Sequence, residues 1–511
     1  MALPEPLVAP GRALAAPATA PDALVSGHGT GCGSLPPVSG AVVDAYPDAL
    51  AMAAALRRGD LAPREALDAV LSRIRERNDE LGAITWVDED DAYRRAATAA
   101  ERLRSGDQAP FLGVPLPVKD LHPVAGWPLT YGSRGGPAAP CATSSLAVEA
   151  LEAAGFVLVG RTNTPEFGEL PATEGDRFPP ARNPWNPTRT AGGSSGGAAA
   201  AVAGGLVPIA HGSDGGGSIR IPSAFCSLVG LKPARGRVPS RRAPWFGLST
   251  EGVLARSVRD QAAVFAELAK PRPGSWVAVP EENGEWMSWL GHFGRLKVGV
   301  CVEAPFGLPV DEARALAAED VARALAEVGH AVSEVRLALS DALVEAVSVV
   351  VGAAISEHDD VDWTKVEPHT RAERERALET SAAELVHQLG VLQDAGSALA
   401  AELPGNVDVL VTPTVAVPPP PVGQVVAAAH AAAGTGAPAL EVVSLAAFTM
   451  PWNIAGLAAL SIPSHLDADG LPIGVQLVAR GGLGEPVLLA LGSALEELYG
   501  WVARRPPALP H

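Results

Sequence analysis

Apolar positions recur along the chain in two rhythms. From Asp44 to Arg58, Ala62 to Asn78 and Asp88 to Arg104, alanine and leucine return every three or four residues among arginines and carboxylates, the spacing of amphipathic helices. Pro63 sits in the favoured first turn of the second, and Gly106 stops the third. These alanine-rich helices are expected to wrap the outside of the core. A short apolar segment from Phe111 to Val118 then delivers Lys119 and Asp120. Thr143–Ala154 reads as a helix closed by Gly155, and Phe156–Gly160 as a strand. Further strands are expected at Leu296–Cys301, Ala331–Leu337, Val407–Val411 and Ile473–Ala479, with a helix over Glu312–Val328 ending at Gly329. Strands alternating with helices predict an α/β fold with a sheet covered on both faces.

The stretch from Asp341 to Ala401 is helical and charged, a flank beside the sheet (residues 340–402), and Pro413–Pro421 reads as a rim loop. No linker interrupts Asp44 to Pro506, so one domain is expected over 41–511, its core being 110–270 plus 295–480. Residues 1–40 are a low-complexity Ala, Pro and Gly arm, expected to be loosely ordered, with packing on a partner subunit as one use open to it. That arm shows no basic segment followed by an apolar one, so no signal peptide is expected.

Composition narrows the function classes. The 511 residues are 47% hydrophobic, with mean hydropathy +0.17, ample for a large core. A formal net charge of −18 lacks the basic stripe that nucleic acid requires, so no nucleic-acid partner is expected. No apolar run approaches the roughly 20 residues of a membrane span. Cys32, Cys141, Cys226 and Cys301 are scattered, with no paired spacing and no histidine at ligand distance in sequence. They read as free thiols in a reducing cytoplasm, and no metal or cofactor is expected. The partner left is a small molecule, with room for a homodimer.

Candidate chemistry centres on Ala191–Pro222. Gly192-Gly-Ser-Ser-Gly-Gly197 and Asp214-Gly-Gly-Gly-Ser218 place Ser194 and Ser218 24 residues apart, separated by a small-residue run able to form a helix and by apolar Leu206–Ala210. Glycine permits φ > 0 and close backbone approach. Two such turns, each presenting a serine, suggest a nucleophile loop with N–H donors for a developing oxyanion. A flexible linker shares this composition, but the clusters are flanked and separated by apolar segments. The chain has five lysines against 34 arginines, so a lysine in an apolar setting carries information, because only lysine can surrender its proton. Lys119 is either an ordinary surface lysine or one desolvated by Val114, Leu116 and Val118 with a lowered pKa.

The blocks PVKD (117–120), GRTNTPEFG (160–168), ARNPWNP (181–187), GGSSGG (192–197), DGGGSIRIPSAFC (214–226), GLKPARGRVP (230–239), PWNIAGLAALSIP (451–463) and GLPIGVQLVA (470–479), in this order, resemble the amidase signature family of serine hydrolases. The resemblance spans about Asp44 to Arg505. It implies a large mixed, twisted β-sheet and a set of roles. Ser218 corresponds to the nucleophile, Ser194 to a bridging serine whose bond with Gly193 is cis, and Lys119 to the base. The N–H groups of Gly215, Gly216, Gly217 and Ser218 correspond to the oxyanion hole, with Ser195, Asp214 and Arg220 in support. Gly215 departs from the family, which commonly has a larger residue directly after the aspartate, and is expected to widen or loosen that loop. The ARNPWN, HGSD and ARSVRD blocks resemble the branch that includes the nylon cyclic-dimer hydrolase.

The implied reaction is cleavage of a carboxylic amide to acid and amine through an acyl-enzyme. Esters share the acyl step, and carbamates are a further candidate. Two other functions compete. A glutamine-hydrolysing subunit of a tRNA-dependent amidotransferase needs partner subunits and fits the arm and the ARNPWN block poorly. A non-catalytic binder is disfavoured because all three catalytic positions are filled and no GxxxxGK[ST] run occurs. Trp127, Tyr131, Trp185, Trp245, Phe246, Trp452 and Asn453 are candidate pocket residues, the aromatics being equally suited to core packing. His211 and Lys232 read as structural.

Overall fold

The computed structural model describes residues 41–507 apart from 138, 277–289, 291–293, 482 and 483. The 1–40 arm, and Cys32 with it, lie outside the described residues. In chain order the strands are β1 (Ile84–Val87), β2 (Pro115–Lys119), β3 (Val157–Thr162), β4 (Arg182–Asn183), β5 (Asn186–Thr190), β6 (Ala210–Asp214), β7 (Val229–Lys232), β8 (Thr250–Ala255), β9 (Lys297–Val300), β10 (Ala331–Glu334), β11 (Val409–Pro413), β12 (Ala459–Leu466) and β13 (Pro472–Ala479).

Eight of them form one sheet in the order β10-β9-β11-β13-β12-β7-β8-β6. It is mixed: β10, β9 and β11 run parallel, and every pairing from β11 through β13, β12, β7 and β8 to β6 is antiparallel. The alternation of side chains builds a core on each face. Val409, Val411, Leu460, Ile462, Val475 and Leu477 pack with Val321, Leu325, Phe265 and Leu488 of the helices Glu312–Glu327, Val258–Leu268 and Gly484–Tyr499. Their neighbours Leu410, Ala459 and Val478 face the opposite way, onto Leu399, Leu403 and Trp452. The expected α/β architecture with both faces covered is therefore observed.

The strand carrying Lys119 lies outside this sheet. β1, β3 and β2 form a three-stranded sheet, with β2 parallel to β3 and Lys119 opposite Thr162. All five residues of β2 are buried, and its lysine reaches Ser213 of β6.

Helix boundaries follow local capping. The helix expected from Asp44 begins instead at Ala49, because Asp48 caps it by accepting from the Ala51 N–H at 2.9 Å, an interaction worth about 1 kcal/mol. Residues 41–44 form a separate short turn of helix before Pro47. Pro63–Leu81 and Glu89–Arg104 match expectation, the second capped by Asp88. The flank is helical over Ala342–Ile355, Pro368–Glu379 and Ala382–Ala401. Ala331–Glu334 is shorter than expected, and all four of its residues are exposed, as on an edge strand.

Candidate active site

Three short elements bring the chemistry together. Lys119 ends β2, Ser194 and Ser195 precede the helix Gly196–Ala203, and β6 delivers Ser213 and Asp214 before the loop to Ser218 and the helix Arg220–Phe225. The Gly193–Ser194 peptide bond is cis, as the resemblance implied.

Lys119 is fully buried. Its Nζ lies 2.8 Å from Ser194 Oγ, 2.9 Å from Ser195 Oγ, 3.3 Å from Ser213 Oγ and 3.4 Å from Ser213 O. Burial pulls its pKa down to about 7 against the opposing charge of Asp214, since a charged ammonium is disfavoured where water is excluded. The surface reading of this lysine is thus excluded. Ser195 Oγ also donates to Ser213 O at 3.2 Å, which fixes both partners of the lysine.

Asp214 organises the loop that follows. Its Oδ1 accepts from Gly217 N–H (2.8 Å), Arg220 Nη2 (2.8 Å) and Asn453 Nδ2 (3.0 Å). Its Oδ2 accepts from Ile219 N–H (3.2 Å) and Arg220 Nε (2.8 Å). Burial alone would raise this carboxyl, but Arg220, Lys232 and Asn453 hold it well below the usual carboxylate range. Arg220, also fully buried, spends its remaining donors on Thr449 O, Gln476 Oε1 and Asn453 Oδ1 at 2.9, 2.7 and 2.6 Å.

This geometry corrects the oxyanion assignment. Gly217 N–H is committed to Asp214, whereas the N–H groups of Gly215, Gly216 and Ser218 make no hydrogen bond among the described residues. Gly217 serves conformation instead: its φ is +134°, and a Cβ there would clash with Thr449 Oγ1. Gly215 leaves no open gap beside the loop. A Cβ on it would lie 2.8 Å from Trp245 Cε3, so the indole occupies the space that a larger residue would fill.

Ser218 is half-buried and faces a cavity of about 520 Å³. Ser218 Oγ makes no hydrogen bond among the described residues, so contact with Ser194 is not closed in this structure. The cavity wall is mostly apolar. It includes Gly216, Ile221, Trp245 and Met450, the flank residues Leu343 and Val347, and farther round Glu169, His369 and Glu373.

Of the seven pocket candidates only Trp245 lines this cavity. Trp127 is core, packed edge-on against Trp86 with its Nε1 donating to Asp91. Trp452 is fully buried between sheet and helices. Trp185 donates to Cys226 O, Tyr131 stacks on Phe167, and Phe246 is 49% exposed. Asn453 braces Asp214 and Arg220 rather than a ligand. His211 is structural as expected: burial lowers its pKa to about 4, and its Nε2 meets Glu251 at 3.1 Å. The flank's contribution to the wall was missed, because Leu and Val on a helix carry no signal separating cavity from core.

Comparison with known proteins places the chain in a family. The chain matches the family Amidase over residues 65–488. It is 35% identical over 503 residues to a 6-aminohexanoate-cyclic-dimer hydrolase from Pseudomonas sp. (strain NK87), covering 91% of this chain and 98% of that one. A solved structure of 6-aminohexanoate cyclic dimer hydrolase complexed with substrate superposes with a TM-score of 0.82 at 33% identity, covering 91% and 99%. A bacterial aryl acylamidase of the amidase signature family superposes at 0.78 and 25% identity, covering 90% and 99%.

Proposed function

The chain belongs to the amidase family, a hydrolase of amide C–N bonds other than peptide bonds, and from that premise we propose that it works through Ser218, Ser194 and Lys119 by way of an acyl-enzyme. The observation that carries this reading is a fully buried lysine at 2.8 Å from Ser194 Oγ whose pKa lies at about 7. A serine hydroxyl is a weak nucleophile until a base takes its proton, and half of such lysine is neutral at pH 7. Substrate binding closes Ser218 Oγ onto Ser194; catalytic hydrogen bonds commonly tighten only in the complex. Ser218 then attacks the carbonyl, its proton passes to Ser194 Oγ, and Ser194 passes its own to Lys119 Nζ. The oxyanion is met by the open N–H groups of Gly215, Gly216 and Ser218, each worth about 3–4 kcal/mol of barrier. The relay run in reverse protonates the leaving amine, and water repeats the cycle to free the acid.

The mostly apolar cavity suits an uncharged acyl group, and relatives acting on a cyclic 6-aminohexanoate dimer and on aryl acylamides set the classes to screen: cyclic and aryl amides first. Esters are expected to react through the same acyl step, and carbamates form the third class. Cys141, Cys226 and Cys301 are free, which fits a reducing cytoplasm.

Intact-mass and peptide mapping after exposure to a small fluorophosphonate tests the assignment. One adduct on Ser218, absent in Lys119→Ala, is expected. Labelling elsewhere, or undiminished labelling in that variant, overturns it.

A further inference from the structure

Away from Lys119, one residue of the cavity wall, His369, belongs to a cluster that the acyl-transfer steps do not use. Glu367 and His369 open the helix Pro368–Glu379, and His430 lies in the helix Gln424–Ala432. One donor atom from each of the three lies within 4.8 Å of one from each of the others. Glu367 and His369 are 3% and 5% exposed.

The carboxylate is already oriented. Glu367 Oε1 accepts from the Asp176 N–H at 3.1 Å, which leaves Oε2 for the histidines. His430 Nε2 lies 3.2 Å from Oε2 and His369 Nδ1 3.9 Å from it. The second distance is too long for a hydrogen bond, and His369 Nδ1 has no hydrogen-bond partner among the described residues. The other ring nitrogen, Nε2, sits 3.7 Å from Glu169 Oε2 and 3.4 Å from Thr370 Oγ1. A carboxylate behind one nitrogen, with the other bare toward a second carboxylate, is the arrangement by which an outer acid fixes the tautomer of a metal-ligating histidine.

The charge balance points the same way. Glu166, Glu169 and Glu367 are gathered at this site, and none makes an ion pair with lysine or arginine among the described residues; the nearby Glu373 is paired with Arg376. Buried carboxylates without a cation are costly. A second histidine pair behaves differently. His122 Nδ1 and His211 Nε2 both meet Glu251 Oε2, at 3.0 and 3.1 Å, and Ser145 Oγ donates to the same oxygen, so that oxygen is already filled, while His122 Nε2 and His211 Nδ1 make no hydrogen bond among the described residues.

We propose that Glu367, His369 and His430 bind a divalent transition-metal ion of the zinc class. Two imidazole nitrogens and one carboxylate oxygen suit zinc or cobalt, whereas calcium and magnesium prefer all-oxygen sites. A water completes four-coordination, with Glu169 behind the ring of His369. The ion ties the helices Pro368–Glu379 and Gln424–Ala432 to the 166–176 segment and fixes the wall to which Glu169, His369 and Ala429 contribute. It takes no part in the acyl transfer. The sequence offers no sign of it, because His369 and His430 meet only through tertiary packing.

The test is titration of the chelator-treated, full-length protein with Co²⁺ as a spectroscopic probe, followed by displacement with Zn²⁺. One equivalent is expected, with the intense visible bands of a four-coordinate nitrogen-containing site. His430→Gln, at a partly exposed position, abolishes that spectrum, and Glu169→Gln weakens affinity roughly 10- to 100-fold. His122→Gln leaves binding unchanged. Absence of saturable binding, a weak octahedral spectrum in the unmodified protein, or loss of the ion in His122→Gln instead of His430→Gln overturns the proposal. The unmodified protein's spectrum decides the matter even if a variant fails to fold.

Discussion

The base can be titrated directly. Lys119 is brought to about 7 by burial, the charge of Asp214 opposing, and it accepts a proton only when neutral. The neutral fraction is about a tenth at pH 6, about half at pH 7 and about nine tenths at pH 8. The logarithm of kcat/KM should therefore rise with unit slope below pH 7 and level off by about pH 8, activity being lost as pH falls through the folded-state pKa. The assay is initial rates on a chromogenic acyl anilide from pH 5 to 10. Two other buried groups need separating. Lys232 is also lowered to about 7, by burial and then by Arg220, but among the described residues its Nζ donates only to Pro233 O, so Lys232→Met should keep the limb. His211 titrates near 4, so His211→Gln should keep it too. Lys119→Arg should lose roughly 10²- to 10⁴-fold, because a guanidinium stays charged. A limb that moves with His211 or Lys232, or a Lys119→Arg enzyme retaining more than about a tenth of activity, would refute the reasoning.

Gly215→Ser drives a Cβ to 2.8 Å from Trp245 Cε3, overpacking that costs about 1–3 kcal/mol; kcat/KM should fall by roughly tenfold or more, and adding Trp245→Leu should recover most of it. Failure of the double variant to recover would separate the two residues. Trp452→Phe alters packing beneath the sheet and not the cavity, so steady-state kinetics should show an unchanged KM, whereas Trp245→Leu alone should change it.

The proposed catalytic residues were legible because each sits in a short run that resembles a block of the amidase signature. Glycine–serine clusters between apolar segments point to Ser194 and Ser218, whereas Lys119 stays open to a surface reading until the resemblance assigns it a role. Gly217 was misread because four successive N–H groups look alike in sequence; only the Asp214 carboxylate, three residues back, singles one out. The aromatics misled for a different reason. Trp127 and Trp452 satisfy the core as well as any pocket, and of the seven candidates only Trp245 joins the wall, beside aliphatic residues of the flank. Strands β7, β8 and β12 escaped notice because glycine and proline interrupt their apolar runs, and their partners lie tens to hundreds of residues away.

Asp214 links the two halves of the centre, and this permits a last, more exacting prediction. Its carboxylate is the one charge opposing burial at Lys119, yet it is itself paired through two 2.8 Å contacts with Arg220. A fixed cation there spends the negative charge that would otherwise hold Lys119 protonated, which is why arginine, unable to titrate, suits position 220 and lysine suits 119. Arg220→Gln should therefore move the pH limb upward, each unit corresponding to about 1.4 kcal/mol, as Asp214 acts unopposed on the lysine. Arg220→Lys keeps a cation beside Asp214 and should leave the limb in place. Both variants should lower kcat, because the bonds to Thr449, Gln476 and Asn453 that brace the loop are lost or reduced. Equal displacement of the limb in the two, or an acid shift in Arg220→Gln, would mean that Arg220 braces the loop without setting the protonation of its base.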